Sequence, residues 1–273
     1  MRSAKRRSLK ALGAVAIVAL AAACGSTSAP GAGQLTVQLS DSPTPDVQTA
    51  YVAISRVYLI GGSDTTGPRY TIDSTPHEVY NLLGFQNGIT ATLGSATIPV
   101  GTYSQMRIVV DSGIVVLSPG FRFSDGTTSK ALSVPSGMET GVKVVLDTPI
   151  QVTPGQTVLV ADFDVSRSFV LTGPPTLPVG AIFQPVIHAT MEDVAASVAG
   201  TVTPASSQAT LYAIFTSNDD TVATALADSV SGAYKLWFLP PGAYTITAVG
   251  TGLNGSKSVT LGAAQDRTGV NFP

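Results

Sequence analysis

The stretch Gln34-Leu35-Thr36-Val37-Gln38-Leu39-Ser40 places an apolar residue at every second position with a polar one between, the period of a strand that buries one face. Runs of the same character occur at residues 51–60, 103–111, 141–147, 157–165 and 181–191, each closed by Gly, Pro, Asp or Ser. Only residues 76–83, containing His77-Glu78-Val79-Tyr80-Asn81-Leu82-Leu83, read equally as one short helix or a strand. Strands at this spacing predict an all-β chain built from antiparallel sandwiches.

Composition agrees with that reading. Apolar residues make up 44% of the 273 positions and charged ones only 12%, about half the usual share, so a charge-driven disordered chain is excluded. The 27 Gly and 18 Pro fall between the apolar runs, as turns fall between strands. A formal net charge of -2, with much of the basic charge crowded at the start of the chain, gives no electrostatic footing for nucleic acid.

The alternation pauses near Met191-Glu192-Asp193-Val194-Ala195-Ala196 and restarts at Ser197 with runs at 197–202, 209–216, 233–239, 244–250 and 257–261. Two domains are therefore expected, residues 34–192 and a small seven-strand sandwich over 197–273. An echo links them. Ile98-Pro99-Val100-Gly101-Thr102-Tyr103 and Leu239-Pro240-Pro241-Gly242-Ala243-Tyr244 share the form apolar-Pro-x-Gly-x-Tyr, a tight turn whose Tyr opens the next strand with its ring packed inward.

Ahead of these lie Arg2, Lys5, Arg6, Arg7 and Lys10, then the apolar run Ala11 to Ala23, too short to span a bilayer comfortably. Residues 1–23 read as a signal peptide, and residues 24–33, rich in Gly, Ser and Ala, as a flexible tether. The chain has one Cys, Cys24, so no intramolecular disulfide is available and a free thiol would be a liability outside the cell. Ala21-Ala22-Ala23-Cys24-Gly25 resembles the bacterial lipobox, in which such a Cys is lipidated on sulfur and becomes the mature N-terminus. It departs from the usual form because Leu20 stands four residues before the Cys and Ala21 takes the place of the Leu. Ala21-x-Ala23 also suits ordinary signal peptidase, which would release a soluble secreted protein.

Two further resemblances concern the folded part. Gly33-Gln34-Leu35-Thr36-Val37, Leu39-Ser40-Asp41-Ser42-Pro43 and Pro99-Val100-Gly101-Thr102-Tyr103-Ser104-Gln105-Met106-Arg107 open a series of separated blocks. It continues with Val134-Pro135-Ser136-Gly137 through Lys143, then Asp162-Phe163-Asp164-x-x-Arg167-Ser168, then Gln184-Pro185-Val186-Ile187. In this order they resemble the bacterial domain-of-unknown-function family 4382, which implies an exported lipoprotein domain without an established activity. Asp228-x-x-x-Gly232-x-Tyr234-x-Leu236 with Leu239-Pro240-Pro241-Gly242-Ala243-Tyr244 is similar to the carboxypeptidase regulatory-like, transthyretin-like sandwich. That likeness implies a non-catalytic accessory domain whose relatives include sugar-binding modules.

Asp162 and Asp164 are two apart on a strand and so share a face; with Asp41 they are the leading binding candidates. One reading is an oxygen-rich Ca²⁺ site. The favoured one is ion pairing with Arg107 or Arg167, since two or three carboxylates alone leave a Ca²⁺ shell unfilled, and no metal or other cofactor is therefore expected. Trp237, the only Trp, alternates with Tyr234, Leu236 and Phe238, so it should face away from the core. There it would stack on a sugar or pack against the neighbouring domain.

Catalysis has little to work with. The two histidines, His77 and His188, sit in no recognisable motif, there is no Gly-x-Ser-x-Gly elbow, and two His without Cys give no zinc spacing. The expectation is a non-enzymatic, lipid-anchored envelope protein held to the outer membrane or cell surface by acylated Cys24, Gly25 lacking the Asp that would signal inner-membrane retention. Its partners would be membrane lipid and a glycan or envelope protein. The alternatives are a surface hydrolase using Asp162, Asp164 or His188, and a soluble secreted binder.

Overall fold

A computed structural model describes residues 31–62, 67–75, 78–133, 141–174 and 177–273. The predicted signal segment, Cys24, His77 and residues 134–140 lie outside the described residues.

Among the described residues the regular structure is almost all strand. It begins with β1 (Ala32–Ser42), β2 (Val47–Ile60), β3 (Arg69–Asp73) and β4 (Glu78–Asn81), then a 3-10 turn over Leu82–Phe85. Next come β5 (Ala91–Pro99), β6 (Gly101–Tyr103), β7 (Gln105–Leu117), β8 (Ser129–Ser133), β9 (Val142–Lys143), β10 (Val145–Leu146) and β11 (Ile150–Val152). β12 (Gln156–Asp164) leads into a four-residue helix, α1 (Val165–Ser168), and then β13 (Phe169–Thr172), β14 (Gly180–Phe183) and β15 (Ile187–Met191). The ambiguous segment thus resolves into a strand followed by a 3-10 turn. The run expected over 181–191 is split around Gln184-Pro185-Val186, because Pro185 has no N–H to give a ladder.

Two large sheets form the core of the larger body, with the short pairs β11-β6 and β13-β14 beside them. One has the order β10-β15-β12-β1-β5; the other runs β3-β2-β7-β8, with β4 also on β2 and β9 on β7. Leu35, Val37 and Leu39 of β1 and Leu159, Ala161 and Phe163 of β12 join Val52, Ile54, Ile108 and Val110 of the second sheet in one buried cluster. Burying each such Val, Leu, Ile or Phe side chain contributes about 1.5–3 kcal/mol. The first sheet is mixed, not purely antiparallel: β1 pairs with β12 in parallel, from Gln34 opposite Gln156 to Ser42 opposite Asp164. Parallel pairing of neighbours far apart in the chain is a tertiary outcome that alternation does not encode.

The remainder comprises β16 (Ala196–Thr201), β17 (Thr210–Phe215), β18 (Thr221–Leu226), β19 (Ala233–Leu239), β20 (Gly242–Gly250), β21 (Leu253–Leu261) and β22 (Asp266–Arg267). They form sheets of order β18-β17-β20-β21 and β19-β16-β22 around a second cluster that includes Val198, Leu211, Leu236, Tyr244, Ile246 and Phe272. The Pro-x-Gly-x-Tyr echo has one local geometry: Tyr103 Oη donates to the Pro99 carbonyl and Tyr244 Oη to the Pro240 carbonyl, each at 2.7 Å. Phe238 departs from the expected inward alternation. The β16–β19 register slips between Ala196 and Val198, Phe238 takes φ 53°, and Leu239 occupies the core position instead.

Candidate functional site: a buried polar junction

The parallel pairing of β1 and β12 sets Ser40 beside Asp162 and Ser42 beside Asp164, and antiparallel β15 puts His188 opposite Asp162. By strand alternation these side chains face away from the cluster that holds Leu39, Phe163 and Ile187. All five are nevertheless buried, because β18 of the second body lies across them. Thr224 makes that contact, its N–H donating to Ser42 Oγ at 3.2 Å and its hydroxyl to the Pro43 carbonyl at 3.0 Å. Ser42 in turn donates to Asp162 Oδ2 at 2.5 Å.

Asp164 caps α1. It accepts from the Arg167 N–H at 3.0 Å and from Ser166 Oγ at 2.6 Å, the position where Asp is favoured because it satisfies an orphan helix donor. One turn on, Arg167 folds back so that its Nε donates to Asp164 Oδ2 at 2.7 Å. Its other nitrogens reach across the junction: Nη1 to Asp220 Oδ1 at 2.6 Å, and Nη2 to His188 Nε2 at 2.8 Å and to the Thr221 carbonyl. Since a guanidinium only donates, His188 Nε2 accepts and the ring proton sits on Nδ1, 3.9 Å from Asp147 Oδ2.

Burial dominates the electrostatics. It pushes the Asp162 carboxyl up to about 6, with Asp164 adding to the rise while the Ser42 hydroxyl opposes it. Burial also raises Asp41 well above the ordinary carboxyl value, and the like charges of Asp162 and Asp164 reinforce it. For Arg167 burial works against the charge, yet Asp164 and Asp220 outweigh it and hold the guanidinium above its usual value.

The predicted residues are therefore partly brought together. Asp164 takes Arg167, one of the two cations anticipated; Arg107 instead donates to the Gly141 carbonyl at 3.2 Å and serves none of these acids. A three-carboxylate Ca²⁺ site from Asp41, Asp162 and Asp164 is not formed, because Asp164 is spent on Arg167 and the helix cap. Among the described residues no group of three or more His, Cys, Asp or Glu is arranged to hold a metal. Trp237 is half-buried and carries the Lys235 ammonium 3.6 Å from its ring centroid. The ring abuts Gly88 so closely that a Cβ there would lie 2.9 Å from it. Of the two readings of Trp237, stacking on a sugar or packing against the neighbouring domain, the second describes its position against Gly88 of the larger body.

Sequence reasoning missed Asp220, Thr221 and Thr224. The runs singled out do not include Thr221–Leu226, whose Thr and Val content was a usable strand signal, and nothing local ties Asp220 to an arginine 53 residues earlier.

The model of the family "Domain of unknown function (DUF4382)" matches residues 32–177, just over half of the chain and the part that carries Asp41, Asp162, Asp164 and Arg167. The chain belongs to the DUF4382 family. No curated protein matches it. Among solved structures, the DUF4382 chain is similar to the Bacillus anthracis TIE protein at 8% identity and a TM-score of 0.22, over 88% of this chain and 34% of that one. It thus spans about a third of that protein's length. It is also similar to the major pilin protein T3.2 of Streptococcus pyogenes, at 9% identity and a TM-score of 0.18, over 88% of this chain and 98% of that one. A second S. pyogenes major pilin, T-13, gives 11% identity and a TM-score of 0.16 over 88% and 96%. In the DUF4382 match α1 and its cap fall inside the family region, whereas Asp220 and Thr224 lie beyond it. The junction therefore joins the family region to the C-terminal body.

Proposed function

We propose that this DUF4382 protein is a non-catalytic binding or structural module of the cell envelope, anchored by lipid on Cys24 and carrying a carboxypeptidase regulatory-like sandwich over residues 197–273. The observation that carries it is the position of the only Cys, directly after a basic segment and a short apolar run and ahead of a Gly/Ser-rich tether. Two acyl chains supply about 0.8 kcal/mol per buried methylene, enough for stable anchoring where one chain is not. The chemistry of the junction supports a module without catalysis. His188 spends Nε2 on Arg167, Asp164 spends both oxygens on the cap and the guanidinium, and β18 covers them, so neither of these two side chains stands open to a substrate. A glycan or an envelope protein is the partner proposed for the exposed surface.

The test is expression of the full chain and of Cys24→Ser with an alkyne fatty acid in the medium. Wild type is expected to take the label and pellet with membranes, and the variant to do neither. An unlabelled mature wild type with a free thiol would overturn the anchor.

A further inference from the structure

The junction holds a small, partly open cavity lined by Ser40, Asp41, Asn87, Asp162, Thr224 and Trp237, among others. Its volume is about 10 Å³, room for one water-sized occupant. Asp41 is 5% exposed and neither of its carboxylate oxygens has a hydrogen-bond partner. Such a group is costly to bury, and something must compensate it.

Among the described residues no neighbouring cation does so. The Gln86 amide and the Ser42 N–H favour the charge, but neither closes a hydrogen bond to it and burial outweighs both. The Arg167 guanidinium is committed to Asp164, Asp220, His188 and Thr221. Lys235 also lines the cavity, but its ammonium lies over the Trp237 ring and 3.6 Å from Asp266 Oδ1. A proton on Asp41 would cancel the charge yet add an O–H donor where neither oxygen has a partner. A cation compensates both oxygens at once.

We propose that this cavity binds one Ca²⁺ ion through the carboxylates of Asp41 and Asp162. Two carboxylates match a divalent charge, and Ser40 and Asn87, which line the same space, each carry a neutral side-chain oxygen. A hard cation prefers such an all-oxygen set, whereas Mg²⁺ would retain more bound water than a one-atom space admits. This is a different arrangement from the one anticipated in sequence: Asp164 is excluded and neutral oxygens take its place. Because Thr224 belongs to the second body, the ion would tie the two bodies together. The site stands whether or not Cys24 is lipidated.

Trp237, the sole tryptophan, lines the cavity and provides the readout. In the purified full-length protein, Tb³⁺ emission is measured under excitation at the red edge of the indole band. Sensitised emission is expected, displaced by Ca²⁺ in the range of about 10⁻⁴–10⁻³ M typical of extracellular modules. Asp41→Asn, with a wild-type circular-dichroism spectrum, should weaken Tb³⁺ binding at least tenfold, while Asp193→Asn, away from the cavity, should leave it unchanged. Should Asp41→Asn fail to fold, wild type alone decides, through its melting temperature in Ca²⁺, in Mg²⁺ and in chelator: a rise specific to Ca²⁺ supports the site. Absence of sensitised emission from folded wild type, or equal emission from folded Asp41→Asn, overturns the proposal.

Discussion

Arg167 Nη1 lies 2.6 Å from Asp220 Oδ1, a hydrogen-bonded ion pair that spans from the end of the DUF4382 body to the first residue before β18. The same guanidinium holds Asp164, which is fully buried, so one side chain neutralises an acid on each side of the junction. Arg suits the role because its planar fork offers five donors in fixed directions.

Replacing Arg167 by Met should leave Asp164 buried without its charge partner. Loss of one member of a buried pair costs about 3–5 kcal/mol, and partial exposure of the Arg167 side chain reduces the expectation to about 2–3 kcal/mol. Urea denaturation reads the loss, and proteolysis near residues 192–197 should quicken as the two bodies separate. Arg167→Lys should recover little, since an ammonium cannot reach Asp164, His188 and Asp220 together. Full stability in Arg167→Met would show that the cluster holds nothing.

Gly88 adopts φ +81°, and a Cβ there would meet the Trp237 ring at 2.9 Å. Gly88→Ala should therefore cost about 1–2 kcal/mol through backbone strain and overpacking. Because Trp237 is the only tryptophan, its fluorescence should shift to the red as the ring is pushed toward water. An unchanged emission maximum would place the ring elsewhere.

The two Pro-x-Gly-x-Tyr turns should respond alike to loss of their phenols. Tyr103→Phe and Tyr244→Phe each remove one hydrogen bond to a proline carbonyl and should each cost about 1 kcal/mol. Tyr51→Phe, at an exposed position, should change stability by less than about 0.5 kcal/mol. Equal stabilities across the three variants would deny the turns any contribution.

Burial, above all, raises Tyr80, Tyr103, Tyr234 and Tyr244 above the ordinary phenol value. For each the folded value exceeds the unfolded one, near 10, so the unfolded state gives up its proton first. Their stabilising contribution is complete below about pH 10 and falls away as the pH climbs past it. Tyrosinate absorbance should rise only in part while circular dichroism is native, then complete itself as the strands unfold. All eight tyrosines ionising near pH 10 in the folded state would contradict the packing.

How much of this was legible depends on the reach of each signal. Leu35, Val37 and Leu39 announced β1 because alternation is local, and both Tyr turns could be read because Pro and Gly constrain only their immediate neighbours. An ion pair of Asp162 or Asp164 with Arg107 or Arg167 was expected, but which acid meets which arginine was left open, because it depends on the one-turn helix α1 that follows Asp164. Thr221–Leu226 went unmarked among short Ala- and Thr-rich segments, and with it went Thr224 and the cover over the site.

By itself the sequence determined the class of structure, most strand faces and the turns, all of which arise within a few residues of chain. Only the tertiary structure decided that β1 runs parallel to β12, that Phe238 yields its core place to Leu239, and that Trp237 rests on Gly88. It also decided that Asp41 is left unpartnered beside a one-atom cavity. Those outcomes depend on which faces two bodies present to each other, and periodicity along one chain carries no record of what it will meet.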